Sequence, residues 1–249
     1  MKKVLGFFIL VLFLTSCNNK KNDKIDKEIS TNQNRTQIDT ILQVIKNSGK
    51  NANINDTTKY IASETEFNPR AIKLNNKAIE LYSYVGGEPV SMHDSLMLDS
   101  ALVLLNNAIK LDAQYYLAYA NKAMILASYK LYTQAIETLN YIIKIRPNYV
   151  EGIANQGFLY EKMGDLTKAN EKYKEAIEAY LKRLNDPYKI MDGVAVQADI
   201  AFMLLFVDGK DKALQLIDTI IARNPDNKTA KFMKGNITAF NREDFISNF

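Results

Sequence analysis

The sequence predicts an all-α protein, an α-solenoid built from antiparallel helix pairs. Three small residues, Ala101, Ala135 and Ala169, are spaced 34 residues apart, and Ala213 follows 44 residues later. Each begins the same sequence pattern, in which an apolar or small residue recurs four and seven positions later, the spacing of one helix face. A proline follows two of these four segments. Such a period is typical of stacked helix pairs, which mostly serve as binding surfaces.

The most complete copy covers Val150–Arg183 and predicts each part of one helix pair. Gly157 lies in its first helix, where the absence of a side chain would let two helices pack at short distance. Gly164 is expected at the turn between the helices, because glycine accepts backbone conformations that other residues resist. Ala169 and Tyr173 then lie along the buried stripe of the second helix.

Two further copies flank this one along the chain. The copy Tyr116–Tyr149 contains Pro147 and the copy Val194–Asn227 contains Pro225, each after the second helix of its pair. Proline lacks an amide hydrogen and clashes with the preceding turn, so it stops a helix from continuing. We therefore expect both second helices to end just before these prolines.

The first and last copies depart from the regular period. Asn76-Lys77-Ala78 matches Asn121-Lys122-Ala123 but lies 45 residues earlier, and the extra residues surround the turn signal Gly86-Gly87-Glu88-Pro89. A half copy, Lys228–Phe240, is expected to form a helix that caps the apolar end of the array. Residues 67–227 are thus predicted to hold about four helix pairs, and residues 228–249 a capping helix and tail.

These landmarks resemble those of the tetratricopeptide repeat (TPR) family. The resemblance covers roughly residues 68–240, and it implies that the first helix of each pair lines a concave groove that binds proteins or peptides. In that family the second, fifth, sixth and ninth positions of each copy point into the groove. The sixth positions here are Asn76, Asn121, Asn155 and Asp199, and the ninth positions are Ile79, Met124, Phe158 and Phe202.

The resemblance implies two kinds of contact in this groove. The short amides would bond the backbone of an extended peptide, and we expect Asn121 and Asn155 to be solvated until a peptide binds. The ninth-position residues would supply apolar contact, or would instead pack on the adjacent repeat or the C-terminal cap. The family's clamp for chaperone tails is not expected, because Ala120 and Met124 replace polar residues that it requires.

The beginning of the chain is typical of an export signal. Residues 1–16, MKKVLGFFILVLFLTS, place two lysines before an apolar run that is too short for a permanent membrane helix. Leu14-Thr15-Ser16-Cys17 resembles the lipobox of bacterial lipoproteins, which implies that Cys17 is lipidated and anchors the protein durably. Residues 17–66 are mostly polar and are predicted to form a flexible linker with one short amphipathic helix, formed by Ile38, Ile41, Leu42 and Ile45.

Composition disfavours nucleic-acid binding and catalysis. The chain has 32 basic and 28 acidic residues, and removal of residues 1–16 takes away two lysines, which leaves a side-chain charge of about +2. His93 is the only histidine and Cys17 the only cysteine, so a His/Cys metal cluster or a Cys–His or Ser–His–Asp arrangement is not expected. We predict no enzymatic activity, no cofactor and no metal site.

The sequence favours a membrane-anchored TPR lipoprotein that acts as a protein- or peptide-binding adaptor in the bacterial cell envelope. We expect it at the outer membrane, facing the periplasm, because no acidic run follows Cys17. An assembly factor or pilot lipoprotein for an outer-membrane machine is the alternative role. A soluble-ligand capture protein is a less favoured alternative, and an enzyme the least favoured.

Overall fold

The computed structural model describes Ile41 and Gln43, then residues 67–85, 92–147, 149–184 and 193–249. All regular secondary structure within these ranges is helical, which confirms the predicted all-α fold of paired helices. The helices are α1 (Pro69–Ser83), α2 (Met92–Leu111), α3 (Tyr116–Ser128), α4 (Tyr132–Ile145), α5 (Val150–Lys162), α6 (Leu166–Leu184), α7 (Gly193–Val207), α8 (Lys210–Arg223), α9 (Lys228–Ala239) and α10 (Arg242–Asn248).

Local sequence explains where several helices begin and end. Asn68 caps α1, where its side-chain oxygen accepts a 2.9 Å hydrogen bond from the Arg70 amide, and Asn227 caps α9 in the same way. The helices α4 and α8 end at Ile145 and Arg223, each two residues before the proline that was expected to stop it.

Sharp turns join the first and second helices of the pairs. Gly164 and Gly209 have φ angles of 82° and 85°, and Lys130 occupies the equivalent place after α3 with a φ of 59°. In each turn a backbone amide donates a hydrogen bond to a carbonyl in the last turn of the preceding helix, which ends that helix. After Lys130 and Gly164 the donor is the amide of the next residue, and at Gly209 it is the amide of the glycine itself. The chain can therefore reverse direction within a few residues.

The described residues fall into two compact units. The first unit contains α1 to α5, α6 as far as Ala179, and the ring of Phe249; the second contains Tyr180–Leu184 and α7 to α10. Within the first unit α1 packs on α2 and α3 on α4, and α1 also contacts α3. The first helices α1 and α3 therefore lie side by side in this unit. Its apolar core includes one cluster from α1, α2 and α3 and another from α3, α4 and α5.

The repeated small residues are buried in the core, as the period predicted. Ala101, Ala135, Ala169 and Ala213 are all buried. Gly157 lies at a close helix crossing, because a Cβ atom placed there would lie 2.4 Å from Cε1 of Tyr173 on α6. The close approach of α5 and α6 thus requires the absence of a side chain at Gly157.

The second unit is held together by a cluster of phenylalanine rings. Its helices α7, α8 and α9 pack against one another. The rings of Phe202, Phe206, Phe240 and Phe245 lie in mutual contact, with centroid distances from 5.2 to 5.9 Å. Beyond α9 the sequence predicted only a tail, whereas residues Arg242–Asn248 form a short helix. Phe245 explains this difference, because it places an apolar anchor in the tail.

Several sequence predictions concern residues outside the described ranges. They are the signal peptide, Cys17, most of the linker and the turn Gly86–Pro89. Of the predicted amphipathic helix the structure describes Ile41, which is helical and buried. Across the described ranges, no helix is long and apolar enough to cross a membrane.

Candidate functional site

The first helices of the first unit are joined by a polar contact. Nδ2 of Asn121 on α3 donates a 2.7 Å hydrogen bond to Oδ1 of Asn75 on α1. Nδ2 of Asn75 in turn donates to Oδ1 of the exposed Asn76, at 3.3 Å. Side chains at neighbouring repeat positions of the first helices α1 and α3 therefore meet. We call the surface that carries the sixth and ninth positions of α1, α3 and α5 the first-helix face.

The expectation that Asn121 is solvated was wrong. Its side chain is only 4% exposed, and its amide is already bonded to Asn75, which is also buried. The cause is a residue that the repeat register did not single out: Asn75 lies one position before Asn76 and supplies the acceptor. A buried amide without that bond would cost free energy, so the pair has a structural role.

Two of the four ninth-position residues are buried by neighbouring aromatic rings. Phe158 is 1% exposed and contacts Tyr173 and Phe249, with centroid distances of 5.5 and 4.9 Å. In the second unit Phe202 is 3% exposed and contacts Phe240 and Phe245. For these two residues the structure favours the alternative, packing on neighbouring segments, over an open groove surface.

The remaining predicted site residues are at least partly accessible. Asn155, Met124 and Ile79 are half-buried on the first-helix face, and Asn76 is exposed there. Asp199, in the second unit, is half-buried and has an interaction partner. Within the described ranges the structure shows no hydrogen bond for the side chain of Asn155. Asn155 is therefore the sixth-position amide best placed to bond a ligand.

Aromatic residues that the sequence analysis did not select lie on α3 and α4. Tyr119 stacks on Tyr141, with ring centroids 4.7 Å apart. Burial raises the pKa of Tyr119 above its ordinary range, and the hydrogen bond with Tyr141 raises that pKa further, so the Tyr119 hydroxyl stays protonated at neutral pH. The guanidinium of Arg146 lies 4.0 Å from the ring centroid of Tyr116. The tyrosine-rich start of α3 was the available sequence signal.

A buried glutamine is a second residue that sequence reasoning missed. Gln156 on α5 is fully buried, and its Nε2 donates a 2.7 Å hydrogen bond to Oδ1 of Asn140 on α4. Its Oε1 is buried without a hydrogen-bond partner. Polar groups are rarely buried in this way, because desolvation without a compensating bond is costly. A polar residue next to Gly157 in a core-facing helix was the signal.

The described residues hold no group of three or more His, Cys, Asp or Glu side chains that could bind a metal ion. What they offer is a surface with an accessible amide at Asn155 and polarisable or apolar side chains at Met124 and Ile79. Such groups can bond a peptide backbone and pack against its side chains.

Comparison with known proteins gives partial matches. No family model matches the chain. Over 143 residues, 55% of the chain, it is 27% identical to the heat shock protein STI1 of Saccharomyces cerevisiae, and it spans 23% of that relative's length. It is also 27% identical to the uncharacterized protein ycf37 of Cyanophora paradoxa over 137 residues, which is 55% of the chain and 76% of that protein.

Solved structures include a tetratricopeptide repeat protein from Parabacteroides merdae. It shares 13% identity with this chain at a TM-score of 0.43, and the match covers 84% of the chain and 74% of that protein. The chain carries TPR-like repeats. In the structure, this resemblance is seen in the helix pairs, in the turns between them and in the close crossing at Gly157.

Proposed function

We propose that this protein is a membrane-anchored adaptor that binds proteins or peptides in the bacterial cell envelope through its first-helix face. The observation that carries the binding part of this proposal is the accessibility of four side chains on the first-helix face, the exposed Asn76 and the half-buried Asn155, Met124 and Ile79. The buried hydrogen bond between Asn121 and Asn75 holds α3 beside α1, so the accessible side chains on these two helices are neighbours. Repeat proteins of this architecture commonly use such extended surfaces for binding.

The spacing of the helices matches an extended peptide. Packed helices lie about 10 Å apart, and an extended chain advances about 3.3 Å per residue, so successive first helices meet a bound peptide about every three residues. Asn155 can bond the peptide backbone at one such step. Met124 and Ile79 add apolar contacts that can adapt to different side chains. Backbone bonds of this kind contribute affinity, and the apolar contacts contribute selectivity.

A matched pair of variants tests the binding surface. Asn155→Ala removes the accessible amide on α5, whereas Asn170→Ala removes an exposed amide on α6, the second helix of the same pair. Partners are captured from detergent-solubilised envelope, identified by mass spectrometry and titrated by calorimetry. We expect Asn155→Ala to weaken binding by about 1–2 kcal/mol and Asn170→Ala to leave it unchanged. The opposite pattern would place the binding surface on the second helices.

The anchoring part of the proposal rests on the box Leu14-Thr15-Ser16-Cys17. Cys17 lies outside the described residues, and its lipidation is a prediction from the sequence. We expect Cys17→Ser to abolish incorporation of radiolabelled palmitate and normal processing, because the thiol is the attachment point. Labelling and cleavage that persist in this variant would contradict the assignment.

We also propose that the protein faces the periplasm from the outer membrane, because no acidic run follows Cys17. Membrane fractionation followed by protease treatment of intact and permeabilised cells tests this orientation. We expect digestion only after permeabilisation. Digestion in intact cells would instead indicate a surface-exposed protein.

A further inference from the structure

Phe249, the last residue of the sequence, belongs to the first unit by its contacts. Its ring lies edge-on to Phe158, with centroids 4.9 Å apart and an interplanar angle of 61°. It also packs against the buried cluster of α3, α4 and α5 and is itself half-buried. A side chain far along the chain thus covers a ninth-position residue of the first-helix face.

Phe158, which lies beneath Phe249, is held in place by its other neighbours. Phe158 contacts the buried ring of Tyr173 at 5.5 Å, and the Tyr173 hydroxyl donates a 2.7 Å hydrogen bond to Oε2 of Glu161. Gly157 leaves no space for Tyr173 to shift towards α5. The contact with Tyr173 therefore supports Phe158 independently of Phe249.

We propose that Phe158 and the adjoining apolar cluster form a pocket for an aromatic side chain, and that Phe249 occupies this pocket as an internal stand-in for a partner's phenylalanine. This inference rests on the proposed peptide-binding function and names the ligand class: a peptide that presents an aromatic residue. Edge-on contact with Phe158 is a favoured geometry for a ring pair, which gives such a residue an advantage over an aliphatic one of similar size.

The neighbouring amide gives the pocket a second point of recognition. Asn155 precedes Phe158 by three positions on α5, so both lie on the same side of the helix. A peptide whose phenylalanine enters the pocket passes the Asn155 amide, which can bond its backbone. Phe249 competes for the apolar part of this site, so an external peptide binds only to molecules in which Phe249 has left.

The test uses the full chain and a fluorescein-labelled tetrapeptide, Ile-Ser-Asn-Phe, with Ile-Ser-Asn-Ala as its control. We expect Phe249→Ala to bind the phenylalanine peptide and the unaltered protein to bind it about tenfold more weakly, because a pocket free in about one molecule in ten multiplies Kd by that factor. Fluorescence anisotropy measures both affinities. Equal affinity of the two proteins, or equal binding of the two peptides, would overturn the proposal.

A second variant links the peptide to the pocket itself. Phe158→Leu in the Phe249→Ala background keeps an apolar side chain but removes the ring, and circular dichroism verifies that it folds. We expect it to lose affinity for the phenylalanine peptide, and unchanged affinity would place that peptide elsewhere. Light scattering of the unaltered protein should show a monomer at all concentrations. Dimers that vanish in Phe249→Ala would mean that Phe249 serves a second copy, which contradicts an internal occupant.

The proposed function and this inference fail in different ways. Envelope partners that bind equally well to the unaltered protein and to Phe249→Ala would preserve the adaptor function and refute the stand-in role of Phe249. Specific binding of the phenylalanine peptide without any envelope partner would support the pocket and refute the adaptor function.

Discussion

The crossing of α5 and α6 makes the substitution Gly157→Ala a sensitive test of the fold. An alanine Cβ at this position would lie 2.4 and 2.5 Å from two ring carbons of Tyr173, well inside van der Waals contact. The ring cannot move away freely, because Tyr173 is buried against Phe158 and its hydroxyl is bonded to Glu161. The helices must therefore separate to accept the methyl group.

Two opposing contributions decide the magnitude. Alanine favours a helix over glycine by about 1 kcal/mol, which alone would stabilise the variant. Overpacking a buried contact costs about 1–3 kcal/mol, and the fixed tyrosine places this site at the upper end of that range. We expect Gly157→Ala to lower the free energy of unfolding by about 1–2 kcal/mol.

Gly235→Ala is the matched control for this experiment. Gly235 also lies inside a helix, α9, but a Cβ atom there would have open space around it. The helix-propensity gain then acts alone, so this variant should be more stable by about 0.5–1 kcal/mol. Urea unfolding followed by circular dichroism measures both variants. If Gly157→Ala is stabilised as much as Gly235→Ala, α5 and α6 do not cross closely at Gly157.

Three further predictions concern stability and use the same unfolding assay. Ala169→Leu should cost about 1–3 kcal/mol, because Ala169 is buried; an unchanged midpoint would place it at the surface. Lys130→Gly should raise the free energy of unfolding by about 0.5–1 kcal/mol, because a φ of 59° disfavours lysine. Gly164→Ala should lower the free energy of unfolding, because alanine disfavours the positive φ of this turn. A change of the same sign in both variants would contradict the turn geometry. Asn121→Ala should lower the free energy of unfolding by about 1–2 kcal/mol and Asn155→Ala should change it little, because of these two residues only Asn121 is buried and bonded to Asn75. Equal effects of the two substitutions would contradict the structural role of Asn121.

Features set by the local repeat were predictable from the sequence. The period placed Gly157 at a helix crossing and Gly164 at a turn, and the structure confirms both positions. Helix ends before Pro147 and Pro225 followed from proline chemistry. Lys130 was not predicted as a left-handed turn residue, because lysine gives no local signal for that conformation.

The candidate site was less predictable, because its side chains are governed by distant partners. Asn121 is bonded to Asn75, 46 residues away, and a repeat register does not show which amide finds an acceptor. Phe158 lies under Phe249, and this contact depends on the course of the chain after the repeats. Asn155 shares the sixth position with Asn121 yet remains half-buried, so equivalent positions carry different roles.

The sequence by itself determined the helix pairs, their turns and their small-residue crossings, because each depends on neighbouring residues and on a spacing of 34. It also predicts an export signal and a lipid anchor at Cys17 from a short local motif. Only the tertiary structure decided which residues of the first-helix face are accessible. Burial depends on what packs above a residue, and for Asn121 and Phe158 those neighbours, Asn75 and Phe249, come from distant parts of the chain.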